Sequence, residues 1–289
     1  MKDIKRIVII YNPKSTGKSE RNAKSFQKRA RKKLKLPVEV IATEGRGHAR
    51  TMAKKIANDR AGTMIISSSG DGGYNEVVNG VLESKNPSSV LGLLPSGNAN
   101  DHYHYVHHGD VLKRIERGSV EFIDVLKITT TSGLVAYAHS YAGLGMTSEI
   151  NDVLMQYAFK PFREIRLVVC NMFRIRPVNV LIDGRAHQLD NLIFLNSGRM
   201  SKIIKNRSRA SICDGEFEVV RLKSGAVLQL IRYFFHAVTV GFYNAKSYPN
   251  FTFICQHDMG MQLDGERVQL YAGDEVMVTC EHRALRVII

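Results

Sequence analysis

No stretch of this 289-residue chain carries the ~18 or more uninterrupted apolar residues that a membrane-spanning helix needs. The nearest, residues 226–243, is broken by Gln229, Arg232 and His236 and reads as an amphipathic or largely buried helix. Cysteine is scarce: Cys170, Cys213, Cys255 and Cys280 form no CxxC pair and keep no regular spacing, so they read as buried or idle thiols in a reducing compartment. There is no internal repeat and no low-complexity segment. The apolar run near the start meets Pro13 too early for a signal peptide and is expected to be a first strand. Acids are what the N-terminal part lacks most. Residues 1–60 hold 18 Lys and Arg against 5 Asp and Glu, whereas the remaining 229 hold 23 against 22. That asymmetry points to an anionic partner for the N-terminal part: nucleic acid, an acidic lipid surface or polyphosphate.

What is present suits a folded protein, with 44% hydrophobic and 24% charged residues and length enough for one large domain or two ordinary ones. Strands are expected at Arg6–Tyr11, Val38–Ala42, Thr63–Ile66 and Val90–Leu94, with helices at Lys18–Lys35, Gly47–Asn58, the residues after Gly73, and Val111–Arg117. This β-α alternation predicts a mostly parallel sheet covered by helices. Beyond Asp124 short β-rich runs recur, at 125–129, 134–139, 178–182, 192–196, 216–222, 251–256, 261–263, 268–271 and 275–279, interrupted by two helical segments at about 147–173 and 225–243, which predicts mainly antiparallel structure. The expected boundary lies near residue 125, giving domains 1–125 and 126–289.

Ser67–Leu82 (SSSGDGGYNEVVNGVL) is the organising stretch: the end of a buried strand, a glycine turn, then apolar residues at helical spacing. In an α/β protein that junction lies at the carboxyl edge of the sheet, where ligands bind. Glycines there let amides approach a phosphate at a helix N-terminus whose dipole favours an anion. Residues 95–101 (PSGNAND) form a second polar turn at a strand's carboxyl end and can face the first. Residues 12–19 (NPKSTGKS) nearly match a Walker A loop but begin with Asn-Pro, a poor start for a loop that must wrap a phosphate.

In order, the chain carries Asn-Pro-x-Ser-x-Gly, Gly-Asp-Gly-x-x-Asn-Glu-Val-Val-Asn-Gly, Pro-Ser-Gly-Asn-Ala-Asn-Asp and, late, Leu-Asp-Gly-Glu at 263–266. This set resembles the diacylglycerol kinase catalytic domain superfamily of lipid kinases, which includes diacylglycerol and sphingosine kinases and their bacterial relatives. The resemblance spans essentially the whole chain. It implies an α/β class: an N-terminal parallel-sheet nucleotide-binding domain, then a mainly antiparallel β-sandwich for the lipid, with the active site in the interdomain cleft. It also implies ATP and Mg2+ as cofactors and a cytoplasmic, peripherally membrane-associated enzyme without a nucleic-acid partner; a homo-oligomer is left open. Asn12, Ser15, Thr16 and Gly17 would line the phosphates, with Thr43 near the nucleotide. Gly70, Asp71, Gly72, Gly73, Asn75, Glu76 and Asn98 would complete the cofactor site. Asp71, Asp124 and Asp214 would serve as metal-binding acids. Glu266, with Asp264 beside it, resembles the acid that takes the proton from the lipid hydroxyl, and Asp71 is the alternative base.

The chain departs from the common pattern Gly-Gly-Asp-Gly-Thr, having Ser69 first and Gly73 last, and Asn98 stands where a threonine is usual. Only Asp214 remains where bacterial relatives carry a lysine and two acids around a structural magnesium. The histidines at 102, 104, 107 and 108 have no acid or cysteine at ligand spacing and read as surface, and Asp183-Gly184 reads as a plain hairpin turn. A catalytically lapsed binding protein of the same fold, an NAD kinase-like phosphotransferase and a nucleic-acid binder are the alternative readings. For a lipid kinase, Lys24, Lys28, Arg29, Arg31, Lys32, Lys33 and Lys35 of the basic helix would meet the membrane, with Arg31, Lys32 and Lys33 as the residues to reverse.

Overall fold

The computed structural model describes residues 4–15, 17–59, 62–86, 88–98, 100–106, 109–155, 166, 169–172, 176–200, 204–205, 211–242 and 245–289. The chain forms two compact units, Met1–Asp124 with Arg283–Ile289, and Val125–His282.

In the first unit the β-branched run of β1 (Arg6–Tyr11) is buried along its centre. It pairs in parallel with β2 (Val38–Ala42) on one side and β3 (Thr63–Ser69) on the other. β4 (Val90–Pro95) extends the sheet beyond β3, also in parallel. Helix α1 (Ser19–Leu34) buries Ala23, Phe26 and Ala30 at helical spacing, and α2 (His48–Asp59) buries Ala49, Ala53 and Ala57. The third helix, α3 (Asp71–Leu82), starts one residue after β3 ends. The expected glycine turn is therefore a single-residue junction at Gly70, and Gly72 and Gly73 already belong to the first helical turn. Two short helices follow, α4 (Asp101–Val106) and α5 (Val111–Arg117), the latter capped by the Asp110 carboxylate on the Leu112 amide.

Strand β5 (Val120–Thr130) leads into the second unit, where the ladders are antiparallel. β6 (Val135–Ala138) pairs with β5, while β7 (Tyr141–Gly145) is followed directly by α6 (Met146–Met155). β8 (Val178–Ile182) and β9 (Arg185–Leu195) form a hairpin across Asp183-Gly184, both at positive φ, the turn expected for that dipeptide. Two-residue strands β10 (Arg199–Met200) and β11 (Ile204–Lys205) precede β12 (Phe217–Lys223) and helix α7 (Val227–Thr239). β13 (Lys246–Tyr248), β14 (Asn250–Cys255), β15 (Met259–Leu263), β16 (Glu266–Leu270) and β17 (Glu275–Ile288) complete the set. Phe194 packs against Phe217, Phe251 and Phe253 within one apolar core of these ladders. The end of β17 belongs to the first unit, where Arg286 and Val287 run parallel to Val90 and Leu91 of β4. The described residues of the expected 147–173 helix, 147–155, 166 and 169–172, are helical.

Candidate active site

The sheet order β2-β1-β3-β4 reverses between β1 and β3: the chain leaves β1 toward one side and β3 toward the other. Crevices at such a reversal, outside the carboxyl ends of parallel strands, are where α/β proteins bind ligands. Three loops meet there, after β1, β3 and β4. The Ser96 amide donates to the Ser69 carbonyl (2.9 Å), and the Gly17 amide donates to the Ser96 carbonyl (2.9 Å). The Ser15 hydroxyl donates to the same Ser96 carbonyl, and the Ser19 hydroxyl to the Asn12 carbonyl. Asn22 donates its amide to the Gly17 carbonyl (3.1 Å) and to Ser96 Oγ (2.9 Å). Gly70 and Gly97 are pressed together. A Cβ on Gly97 would lie 2.3 Å from Gly70 Cα, so neither loop accepts a side chain at this crossing.

This weave ties the loop after β1 to the loop after β4. The Ser15 hydroxyl and the Gly17 amide, read as phosphate contacts, are both engaged by Ser96. Gly17 is required for close packing, since a Cβ there would sit 2.6 Å from the Ser96 carbonyl oxygen. Asn12 folds its side chain back to accept from the Lys14 amide (2.9 Å). Thr43, at the end of β2, is half-buried with its amide on the Tyr11 carbonyl (2.9 Å). Thr16, His107 and His108 lie outside the described residues. Ser96, Asn22 and Asn100, which braces the turn through both polar atoms of Gly97 (2.9 Å each), were not singled out from the sequence. Their only signal was the run of small polar residues ending both strands.

At the β3–α3 junction the first-turn amides of the helix have no intrahelical partner. The N-cap is Gly70, which has no side chain to offer them. Asp71 opens the helix half-buried, with Oδ1 accepting from the His102 amide (3.3 Å). His102, read as surface, is buried, its ring packed on Tyr74 with centroids 4.9 Å apart. Gly73 faces Ser69: an added Cβ would come within 2.7 Å of Ser69 Cβ, so the serine and the glycine, four residues apart, fit as a pair. Asn75 is buried and Asn79 donates to its side chain (3.2 Å), while Asn98 is exposed. The two Glu76 carboxylate oxygens accept from the Gly47 and Ala49 amides (2.8 and 3.1 Å), capping the start of α2.

The remaining acids are dispersed. Asp124 is fully buried and accepts the Arg283 amide (2.6 Å), where β17 passes through a left-handed residue. Asp214 is exposed and closes a local turn through the Ser211 and Glu216 amides (3.1 Å each). Asp264 and Gly265 repeat the positive-φ turn of Asp183 and Gly184, here joining β15 to β16. The Asp264 carboxylate is 1% exposed and accepts from the amides of His139 (2.5 Å), Ser140 (3.1 Å) and Tyr141 (2.9 Å). Burial raises its pKa to about 7 against the opposing pull of those amides. Glu266, half-exposed, is the first residue beyond this clamp.

Among the described residues no three His, Cys, Asp or Glu side chains converge as a metal site. Magnesium in phosphoryl-transfer sites is commonly held by one or two carboxylates, waters and the substrate's own phosphates. Asp71, a half-buried carboxylate at a helix start, fits that mode of binding.

A family profile described as the diacylglycerol kinase catalytic domain matches residues 6–128. A diacylglycerol kinase of Staphylococcus carnosus (strain TM300) is 34% identical over 245 residues, covering 78% of this chain and 75% of that protein. A diacylglycerol kinase of Bacillus subtilis (strain 168) is 28% identical over 250 residues, 79% of this chain and 77% of its own length. Sphingoid long-chain bases kinase 1 of Arabidopsis thaliana is 26% identical over 183 residues, 60% of this chain; the chain spans only 24% of that protein. In fold, a crystal structure of a diacylglycerol kinase from Bacillus anthracis str. Sterne matches 98% of this chain and 96% of its own, with a TM-score of 0.72 at 16% identity. The class is that of the lipid kinases. Within it, the chain belongs to the diacylglycerol kinase catalytic-domain family.

Proposed function

We propose that the protein transfers the γ-phosphoryl group of ATP, with magnesium, to the hydroxyl of a diacylglycerol- or sphingoid-type lipid. The observation that carries this reading is the Gly70–Asp71 junction, where a helix N-terminus opened by a glycine and one half-buried carboxylate sit at the reversal point of the sheet. Phosphoryl transfer is largely positioning and charge neutralisation, and this junction supplies both. The α3 amides would bind phosphate oxygens, the Gly70–Gly97 contact would keep side chains out of their way, and Asp71 would hold the metal. Bound magnesium supplies charge neutralisation at the phosphates. We assign the nucleotide to residues 1–125 and the lipid to 126–289. Glu266 or Asp71 takes the proton from the acceptor hydroxyl. Asp264, sealed by three backbone amides, fixes the turn that presents Glu266 and is a positioning residue.

Because diacylglycerols and long-chain bases reside in bilayers, the enzyme would work as a cytoplasmic protein at a membrane surface. Gly73 and Asn98 in place of the usual threonines, and an Asp214 that only closes its own turn, favour a second reading, a lapsed kinase that retains nucleotide binding. Labelled ATP offered with diacylglycerol, sphingosine, ceramide and monoacylglycerol side by side separates the two. The proposal expects label on at least one lipid. Bound ATP with no labelled lipid would leave the lapsed reading standing.

A further inference from the structure

Helix α1 divides its cations between two faces. At 100° per residue, the buried positions Ser19, Ala23, Phe26 and Ala30 centre on one side of the helix, and Arg21, Lys28 and Lys32 fall on the opposite side. These three, with Ser25, follow the i, i+4, i+7, i+11 row over about 16 Å, and Lys35 stands just past the helix end. All four basic residues are exposed, and among the described residues none has an ion pair. The flanking cations are engaged. Lys24 pairs with Glu20 (2.6 Å), Arg29 with Asp110, and Lys33 with Glu116 (3.3 Å), while Arg31 donates to the Val38 carbonyl (2.7 Å). Acids of α1 itself and of the Asp110–Glu116 segment thus neutralise the flanks and leave one outward row positive. Of the seven residues that sequence alone marked for membrane contact, Lys24, Arg29, Arg31 and Lys33 lie on the engaged flanks.

We infer that the row Arg21, Lys28, Lys32 and Lys35 is the surface by which the protein docks on an anionic lipid bilayer, with the remaining basic residues of α1 as its internal scaffold. The inference rests on the lipid-kinase reading for the nature of the partner. Its chemistry agrees with that partner. Three of the four residues are lysines, compact point charges suited to a delocalised anionic plane, whereas bidentate phosphate and base recognition favours arginine. The row carries no aromatic side chain on which a nucleic-acid base would stack. It also carries no large apolar side chain, so contact is at the headgroups without insertion.

Two charge-matched variants test this. One changes Arg21, Lys28, Lys32 and Lys35 to Gln, the other Lys24, Arg29, Arg31 and Lys33 to Gln; thermal melting of both establishes that they fold. Sedimentation is measured with phosphatidylcholine vesicles with and without phosphatidylglycerol, at low and high salt. Each basic residue at such a surface contributes about fivefold in partitioning, so the row variant should lose on the order of several hundredfold. The flank variant should retain most of the binding, and high salt should abolish the difference. Equal losses in the two variants would show that net charge alone acts and would overturn the inference. So would an unchanged row variant, or a row variant that releases duplex DNA while holding vesicles. Phosphorylation of a short-chain diacylglycerol dissolved as monomer should be unaffected by the row variant. If even the unaltered protein leaves that lipid unlabelled while vesicle binding still depends on the row, the kinase reading fails and the docking row stands.

Discussion

Asp71-Gly72 in the first unit and Asp264-Gly265 in the second are the same dipeptide put to opposite uses. Asp71 opens a helix behind a glycine N-cap, half-buried, and accepts from the His102 amide at 3.3 Å. Asp264 sits in a hairpin turn at φ 48° with its carboxylate closed off by three backbone amides. A third copy, Asp183-Gly184, has the Asp264 backbone and none of its burial. The dipeptide therefore sets at most the local turn. Whether the carboxylate is available to a ligand depends on what the rest of the fold brings against it.

The contrast breaks most sharply at Asp71. Asp71→Asn should lower kinase turnover on the order of a hundred- to a thousandfold with the melting temperature unchanged. A variant as active as the parent would remove Asp71 from the site. Next comes Asp264→Ala, which strands three buried amides and should cost about 3 kcal/mol or more of stability in denaturant unfolding; a cost near zero would contradict the clamp. Gly73→Thr drives a Cβ into Ser69 and should cost ~1–3 kcal/mol. Adding Ser69→Gly should recover most of that loss, and a double variant no better than the single one would show that the two positions are not coupled.

A finer cut separates charge from shape at Asp264. Its folded pKa is raised above the unfolded value, so its favourable contribution is complete below about pH 4 and is lost as pH rises through about 7. The group facing it is the buried imidazole of His139, with Nε2 3.5 Å from Oδ2. Asp264→Asn should be less stable than the parent, with its stability flatter between pH 4 and 7; an unaltered pH profile would assign that dependence elsewhere. Smallest of all, Asp183→Ala should shift stability by no more than about 0.5 kcal/mol, although its turn matches the Asp264 turn in backbone.

The first unit was legible because its strands are β-branched runs and its helices carry clean apolar stripes: Arg6–Tyr11, Val38–Ala42 and Val111–Arg117 form with the expected bounds. In the second unit β7 was missed, since Tyr141–Gly145 holds two glycines and no β-branched residue, and β13 is only Lys-Ser-Tyr. The continuation of β17 past Thr279 was hidden by Glu281, His282 and Arg283, whose partners belong to a sheet assembled almost two hundred residues earlier. The site shows the same division. The glycines and Asp71 could be read from a strand-to-helix junction. The α2 amides that occupy Glu76 lie 27 and 29 residues away, and nothing local to Glu76 announces them.

Transfer of labelled phosphate from ATP to lipid, measured together with ATP binding for the parent and Asp71→Asn proteins, tests the central claim most directly. The account predicts a labelled diacylglycerol or sphingoid base with the parent and a loss of at least about a hundredfold with the variant, both proteins remaining folded. ATP bound by both proteins with no label reaching any lipid would contradict it.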